Sequence, residues 1–212
     1  MRASRYIDLV LSIAGLAIGA PCLLLAAVGI KLTSKGPVFY LAERIGKDGK
    51  PFFMYKLRTM RPQSGGAAVT SAGDDRIYPF GGFLRKTKLD ELPQLFNIVR
   101  GDMSVVGPRP EAPTIVEEHY TDAERRTLRV RPGLTSPGTL WYFSAGEDLI
   151  DPRDTMGSYL PIMREKLRLD IEYVQQVSLK EDLRLIGLTL LAIARKLLRG
   201  SVSCKLSDRG MT

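Results

Sequence analysis

The longest feature in the hydrophobic pattern is an uncharged run from Leu9 to Ile30, close to the start of the chain. As a helix this run is roughly 33 Å long, enough to cross a hydrocarbon core of about 30 Å. It is longer than the apolar segment of a usual secretory signal peptide, and Pro21 lies in its middle. The pattern therefore favours a membrane-inserted helix over a signal peptide or a buried core helix.

Pro21 and the charges on either side of the run bear on how this helix enters the membrane. Proline removes one backbone donor and clashes with the carbonyl four residues earlier, so we expect a kink there. Arg2 and Arg5 precede the run, and Lys31 and Lys35 follow it. Because basic flanks prefer the cytoplasmic side, a helix that enters, bends and returns suits both ends. A kinked helix that spans the membrane places only one of the two basic ends in the cytoplasm. The residues alone leave both arrangements open.

The rest of the chain has short strand and helix patterns and is predicted to be a soluble domain that faces the cytoplasm. Gly36 to Tyr40 is predicted to turn into a strand, and Gly46 to Lys50 to form a hairpin turn. Phe52 to Leu57 is a second strand candidate. The polar stretch from Pro62 to Asp75, rich in glycine and alanine, is predicted to be a loop.

Four later segments have helical spacing. Asp90 is a good N-cap and Gly101 a good stop, which predicts a helix with Asp90 and Glu91 at its N-terminus. Further short helices are predicted in Thr121 to Arg129 and in Asp151 to Val174. Leu183 to Leu198 is basic and amphipathic, so it either lies on a membrane surface or docks on the domain core.

Composition narrows the chemistry. The chain has 212 residues, which suits one ordinary domain or one domain plus a small appendage. Its two cysteines and one histidine exclude a disulfide framework and a two-histidine metal site. Acid–base or nucleophilic chemistry must therefore use carboxylates, lysines or hydroxyls. The net charge of +8 favours an anionic partner such as a phosphate, a nucleic acid or a membrane surface.

Two adjacent carboxylates, Asp90 and Glu91, follow a basic cluster formed by Arg85, Lys86 and Lys88. Carboxylate oxygens bind Mg²⁺, with substrate phosphates completing the shell. A carboxylate can also attack phosphorus as a nucleophile. The plain alternative is an aspartate that caps a helix beside a glutamate that favours the helix dipole.

Stiff basic turns follow this pair. Pro108 and Pro110 fix the backbone on both sides of Arg109, and a guanidinium on a rigid loop suits bidentate phosphate binding. Arg131 lies in a similar turn before a proline. Together these features bring several cations near the carboxylate pair in a chain with a membrane anchor.

The combination closely resembles the bacterial monotopic phosphoglycosyl transferases, the sugar transferases that begin membrane-linked glycan synthesis. The resemblance covers nearly the whole chain, and the longest and most specific block reads LRKTKLDELPQLFNIVRGDMSVVGPRP. The matching stretches are Tyr55 to Met60, Leu84 to Pro110, Arg129 to Thr135 and Asp170 to Ile186.

The resemblance implies a ping-pong reaction on a UDP-sugar. Asp90 would attack the β-phosphorus, release UMP and hold a covalent phosphosugar, which polyprenyl phosphate, typically undecaprenyl phosphate, then takes. Glu91, beside Asp90, would help to hold Mg²⁺. With the basic residues noted above, we expect phosphate and substrate to be bound by Arg85, Lys88, Pro108, Arg109, Pro110, Arg131 and Asp182.

The resemblance also implies a mainly helical α+β fold of a monotopic membrane protein, with short strands and amphipathic interfacial helices. Residues 1–34 would form a re-entrant, Pro-kinked membrane helix with both ends in the cytoplasm. Residues 35–200 would form the catalytic domain on the cytoplasmic face of the bacterial inner membrane. Residues 201–212 are predicted to be a flexible tail.

Two departures from the family pattern stand out. The helix bend falls at Ala20-Pro21, where relatives have Ser-Pro, so the serine hydroxyl that would occupy a freed carbonyl is missing. After Gly133 the segment Leu134 to Phe143 differs from the usual Gly-Trp-Ala-Gln-Val type. Trp141 and Tyr142 in it either stack on a base or sugar or pack in the core.

The expected partners are the UDP-sugar, polyprenyl phosphate and membrane lipid, with homo-oligomers and downstream glycosyltransferases left open. A catalytically silent membrane scaffold is the alternative from another class. We expect no nucleic-acid partner, since the chain has no interleaved aromatic and basic pattern and its apolar run does not suit one.

Overall fold

The computed structural model describes residues 2–61, 74–146, 149–151 and 153–207. The predicted loop at 62–75 lies almost entirely outside the described residues. The described chain is mainly helical with short strands, as predicted.

Helix α1, Arg2–Thr33, continues through Pro21 without interruption. By length and composition its segment Arg5–Thr33 is long and apolar enough to cross a membrane. One face docks on the rest of the protein, because buried residues recur along it every four or seven positions. These buried residues are Asp8, Ser12, Gly19, Ala26 and Ile30.

The other faces of α1 carry large exposed apolar side chains. Among them are Tyr6, Val10, Ile18, Leu24, Leu25 and Leu32. So much exposed apolar area on one helix marks a surface for another apolar phase, which makes membrane association plausible.

Strands β1, Phe39–Ile45, and β2, Pro51–Leu57, form the predicted hairpin, joined by a 3₁₀ turn at Lys47–Gly49. They pair antiparallel with Ala42 opposite Met54. Ala42 and Met54 are buried and pack with Ile98 and Met103. The inner face of the hairpin therefore faces the segment that carries the carboxylate pair.

Helix α2, Pro79–Lys86, is followed by a 3₁₀ turn at Leu89–Glu91 and by helix α3, Gln94–Arg100. The prediction that Asp90 caps this helix is wrong. A cap at Asp90 would bond the amide of Leu92 or of residue 93. The Leu92 amide already donates to the Leu89 carbonyl at 3.2 Å, and Pro93 has no amide hydrogen. The turn instead uses short-range bonds such as Glu91 N–H to the Lys88 carbonyl, 3.2 Å.

Gly101 ends α3 as predicted. It adopts a φ of 97°, and its amide bonds the carbonyls of Asn97 and Ile98. A left-handed glycine after the last helical residue is a common helix ending.

Strands β3, Ser104–Val106, and β4, Gly133–Thr135, pair in parallel. Gly107 and Gly133 touch so closely that a Cβ on Gly133 would lie 2.2 Å from the Gly107 nitrogen. Only glycine fits there, which fixes the backbone just before Pro108.

The remaining elements complete the domain around these strands. Helix α4 is Pro113–His119, a 3₁₀ segment is Glu124–Arg129 and helix α5 is Pro137–Trp141. A π turn, Tyr142–Gly146, precedes helix α6, Thr155–Gln175, and helix α7, Leu179–Ser207. The helix predicted at Thr121 to Arg129 is only the shorter 3₁₀ segment.

Helix α7 extends beyond the predicted Leu183 to Leu198. Its backbone is helical to Ser207, and residues 208–212 of the predicted tail lie outside the described part. Leu185 of α7 packs with Val106 and Tyr173, so one side of α7 docks on the domain. Leu183 and Leu190 remain exposed.

Candidate active site

Asp90 lies in the 3₁₀ turn between α2 and α3 and is only 7% exposed. Its neighbours in sequence are held against α1, since Leu89 packs in a cluster with Ala26 and Ile30. Within the described part of the chain, Asp90 Oδ1 is buried and has no hydrogen-bond partner. A buried carboxylate oxygen without a partner is costly, so this atom is free for a ligand or for reaction.

Glu91 and Arg109 form a forked ion pair across the site. Arg109 Nη2 donates to Glu91 Oε1 at 2.6 Å, and Nη1 donates to Oε2 at 3.3 Å. Both side chains are about one-fifth exposed. The pair joins the turn after α2 to the Pro108–Arg109–Pro110 turn, so it fixes the distance between them.

The two adjacent carboxylates have opposite pKa shifts. Burial raises the pKa of Asp90 to about 6, and the charge of Glu91 adds to the rise. Burial would also raise the pKa of Glu91, but Arg109 and then Lys56 outweigh it and hold that pKa well below its usual range. Glu91 is therefore always ionised, while Asp90 titrates close to neutral pH.

Cations outnumber carboxylates around this pair. Lys56, Lys88 and Arg85 all lower the pKa of Asp90 by their charge. Arg109 adds a further positive charge through its pair with Glu91. This excess of positive charge suits an anionic ligand such as a diphosphate.

Lys88 is held in an unusual conformation. Its backbone has a φ of 58°, which is left-handed and uncommon for a residue other than glycine. Its ammonium lies 5.1 Å from the centre of the Phe143 ring. The π turn that carries Phe143 therefore reaches the neighbourhood of Asp90.

Lys56 and Arg44 are two site residues that sequence reasoning missed. Burial lowers the pKa of Lys56 to about 8, and Glu91 only partly offsets this. Burial also lowers the pKa of Arg44. The strand periodicity could have indicated both residues, because side chains two positions apart lie on the same face of a strand. Lys56 shares a face of β2 with buried Met54, and Arg44 shares a face of β1 with buried Ala42.

The Pro108–Arg109–Pro110 turn is held by a second set of contacts. The Gly133 amide donates to the Pro108 carbonyl at 3.0 Å. Glu111, the next residue, accepts from Lys166 Nζ at 2.9 Å and from the Tyr159 hydroxyl at 2.6 Å. Glu111 is the third residue of the site that the sequence pattern did not single out.

The other predicted residues lie elsewhere. Arg131 is exposed and donates through Nε to the Gly101 carbonyl at 2.8 Å. Asp182 is buried and accepts from the Tyr173 hydroxyl at 2.6 Å. Burial raises the pKa of Asp182, and the charge of Asp8 adds to the rise. Asp182, which is part of α7, therefore lies near Asp8 of α1 and Tyr173 of α6 and does not join the Asp90–Glu91 pair.

Ala20 and Pro21 are exposed on α1. Trp141 and Tyr142 both pack against the largest hydrophobic cluster, which supports the core-packing alternative for these two residues. The Lys166 ammonium lies 5.2 Å from the centre of the Tyr142 ring.

Within the described ranges, no group of three or more His, Cys, Asp or Glu residues could hold a metal ion on its own. The Asp90–Glu91 pair still fits a hard cation that takes other ligands from its substrate. Asp90 Oδ1 has no partner among the residues that the structure describes. Each Glu91 oxygen accepts one bond from Arg109 and keeps a second lone pair. Few carboxylates plus substrate phosphates is the usual magnesium arrangement.

Comparison with known proteins identifies the class. Residues 1–196 match the bacterial sugar transferase family. The match covers well over half of the chain, so the chain belongs to this family.

Curated relatives give the family's activities. The chain is 39% identical over 187 residues to the UDP-glucose:undecaprenyl-phosphate glucose-1-phosphate transferase of Caulobacter vibrioides, covering 86% of this chain and 66% of that protein. It is 35% identical over 190 residues to the Escherichia coli protein of the same description, covering 88% and 39%.

A third relative acts on another sugar. It is the UDP-N-acetylgalactosamine-undecaprenyl-phosphate N-acetylgalactosaminephosphotransferase of Aeromonas hydrophila, 34% identical over 193 residues, covering 89% of this chain and 43% of that protein. The chain thus spans less than two thirds of the length of all three of these relatives.

Proposed function

We propose that this protein transfers a sugar-1-phosphate from a UDP-sugar to polyprenyl phosphate, giving a polyprenyl diphosphate sugar and UMP. The observation that carries the proposal is the buried Oδ1 of Asp90, which has no hydrogen-bond partner in the described part of the chain and lies near the charges of Lys56, Lys88 and Arg85. A reactive carboxylate among cations is the arrangement that attack on a diphosphate requires.

In the first step the Asp90 carboxylate attacks the β-phosphorus of the UDP-sugar. An Asp90 oxygen–phosphorus bond forms, the bond to the bridging oxygen breaks, and UMP leaves with that electron pair. The positive charges of Arg109, Arg85 and Lys56 offset the charge that develops on the phosphoryl oxygens. Glu91 keeps the Arg109 guanidinium in place through the forked pair.

In the second step a phosphate oxygen of polyprenyl phosphate attacks the phosphorus on Asp90. The new diphosphate bond forms, the Asp90–phosphorus bond breaks, and the carboxylate is restored. Because the phosphosugar is first bonded to Asp90 and only then transferred to the lipid, UMP leaves before the lipid product forms.

Asp90 and Glu91 would hold Mg²⁺ together with phosphate oxygens of the substrate. Bound there, the ion would neutralise negative charge on those oxygens as the phosphoryl group is transferred.

We further propose that α1 is re-entrant and that the domain lies on the cytoplasmic face of the cytoplasmic membrane. Both ends of α1 contact the same folded domain, which supports this topology. Near its start, Arg5 donates to the Ile98 carbonyl at 2.6 Å. Near its end, Ile30 is fully buried with Leu57 and Leu84. A helix that spans the bilayer once would separate these ends.

The reaction class is tested by measuring UMP release from a panel of UDP-sugars with Mg²⁺ and undecaprenyl phosphate. The Asp90→Asn variant should release none and stay attached to membranes. Asp48→Asn is the matched control, because Asp48 is an exposed aspartate of the β1–β2 turn, and it should keep full activity. Full activity of Asp90→Asn would exclude the proposed nucleophile, and no UMP from any donor would favour a silent scaffold.

A further inference from the structure

Asp8 is a charged residue that the proposed reaction does not use, yet it is only 5% exposed near the start of the membrane-associated helix α1. Both of its carboxylate oxygens are occupied by β3. Oδ2 accepts from the Ser104 hydroxyl at 2.7 Å, and Oδ1 accepts from the Val105 amide at 2.9 Å. Charge-assisted bonds of this length fix the two segments firmly together.

Strand β3 leads directly into the turn that carries Arg109. Gly107 packs directly against the backbone of Arg131, since a Cβ on Gly107 would lie 2.3 Å from the Arg131 carbonyl oxygen. Pro108 and Pro110 then restrict the backbone on both sides of Arg109. Because the backbone between β3 and Arg109 has so little conformational freedom, a shift of β3 also moves the Arg109 side chain.

The same part of α1 also holds the end of α3, the helix that follows the other half of the forked pair, Glu91. Arg5, one turn before Asp8, donates to the carbonyls of Ile98 and Val99 at 2.6 and 3.0 Å. These carbonyls end α3, the helix that follows Glu91 in the chain. Arg5 and Asp8 together therefore set the end of α3 and the start of β3 against one rigid surface.

We infer that Asp8 is a positioning residue for Arg109, so that the start of the membrane-associated helix sets the geometry of the phosphate-binding pair. The inference rests on the proposed function, because it needs Arg109 to act on the donor diphosphate. It assigns α1 a role in the donor step that is separate from membrane attachment.

The test uses the full-length protein in lipid nanodiscs and follows the donor half-reaction without polyprenyl phosphate. Asp8→Ala should slow formation of the phosphosugar adduct by about 10- to 100-fold, as expected when a binding group is displaced by about 1 Å. The fraction of enzyme labelled at completion and the attachment to membranes should not change. Asp8→Asn keeps an oxygen for the Val105 amide and should restore most of the rate.

Ser12→Ala is the matched control, because Ser12 is also buried on α1, one turn further on, and its Oγ has no partner within the described residues. It should behave like the wild-type protein. A purely structural role for Asp8 would instead lower the labelled fraction of Asp8→Ala and leave the rate constant of the labelled molecules unchanged. That result, an unchanged rate, or loss of membrane attachment along with activity would overturn the inference.

Equilibrium titration with UDP separates this inference from the proposed function. If the wild-type protein binds UDP but forms no adduct, the covalent route is wrong. The positioning role of Asp8 is then decided by the affinity for UDP alone. Weaker UDP binding by Asp8→Ala than by Ser12→Ala would then support it, and equal binding would overturn it. Absence of both UDP binding and adduct in the wild-type protein would overturn both proposals.

Discussion

The pKa values of Asp90 and Lys56 predict a narrow, bell-shaped pH dependence of the donor half-reaction. Asp90 must be ionised to attack phosphorus, and its pKa is raised to about 6 by burial and by Glu91. Lys56 must be protonated to attract the diphosphate, and burial lowers its pKa to about 8. The rate should therefore decrease as the pH is lowered below 6, and it should also decrease as the pH is raised above 8.

The size of the effect follows from these two ionisations. At pH 7 about four-fifths of the free enzyme has both groups in the active form, whereas at pH 5 or pH 9 only about one-tenth does. The quantity to measure is kcat/KM for UMP release, because it reports ionisations of the free enzyme. The assay covers pH 4.5 to about 9.5 at constant ionic strength, with saturating polyprenyl phosphate.

A single substitution separates the two limbs of this profile. Lys56→Arg keeps the positive charge but cannot lose it below about pH 12, so the fall above pH 8 should disappear while the fall below pH 6 remains. An alkaline limb that persists near pH 8 in this variant would show that Lys56 is not the titrating group. A rate that stays constant down to pH 4.5 in the wild-type protein would refute the raised pKa of Asp90.

Three further predictions follow from the same site and from α1. Asp90→Asn should be inactive yet more stable to thermal unfolding. Folding raises the pKa of Asp90 from 3.8 to about 6, so at neutral pH the ionised carboxylate lowers the free energy of unfolding by about 3 kcal/mol. The neutral asparagine side chain avoids this cost. A melting temperature below that of the wild-type protein would contradict this. Arg109→Lys should lower kcat/KM about 10- to 100-fold, because one ammonium cannot replace both bonds to Glu91; near-normal kinetics would show that the fork is not needed. Pro21→Leu should straighten α1 and move its N-terminus across the membrane, as read by the accessibility of a tag at Met1; a tag that stays cytoplasmic would show that Pro21 alone does not set the topology.

Local sequence signals were sufficient for the hairpin and for the end of α3. The Gly46 to Lys50 turn and the Gly101 stop depend on backbone conformations that glycine adopts readily, so the residues alone indicate them. The cap predicted at Asp90 failed because neither amide that it would use is available. The Leu92 amide bonds within the turn, and Pro93 has no amide hydrogen. The approximate location was right, but the kind of turn was not.

Contacts between distant segments could not be predicted from the sequence. Glu91 and Arg109 are 18 positions apart in the chain, and only the tertiary fold brings their side chains to 2.6 Å. Lys56 comes from a different strand, and its phase on β2 indicates burial without indicating its neighbours. Asp8 lies one residue before an apolar run that reads as a membrane helix, so nothing local suggests that it binds β3.

The most direct test of the central claim is the intact mass of the purified protein after incubation with Mg²⁺ and each UDP-sugar, with polyprenyl phosphate withheld. The account predicts a mass gain of one phosphosugar on the wild-type protein, mapped to the peptide that contains Asp90 and discharged when undecaprenyl phosphate is added. The gain should be missing in Asp90→Asn and present in Asp48→Asn. Turnover without any adduct, or an adduct that survives in Asp90→Asn, would contradict the account.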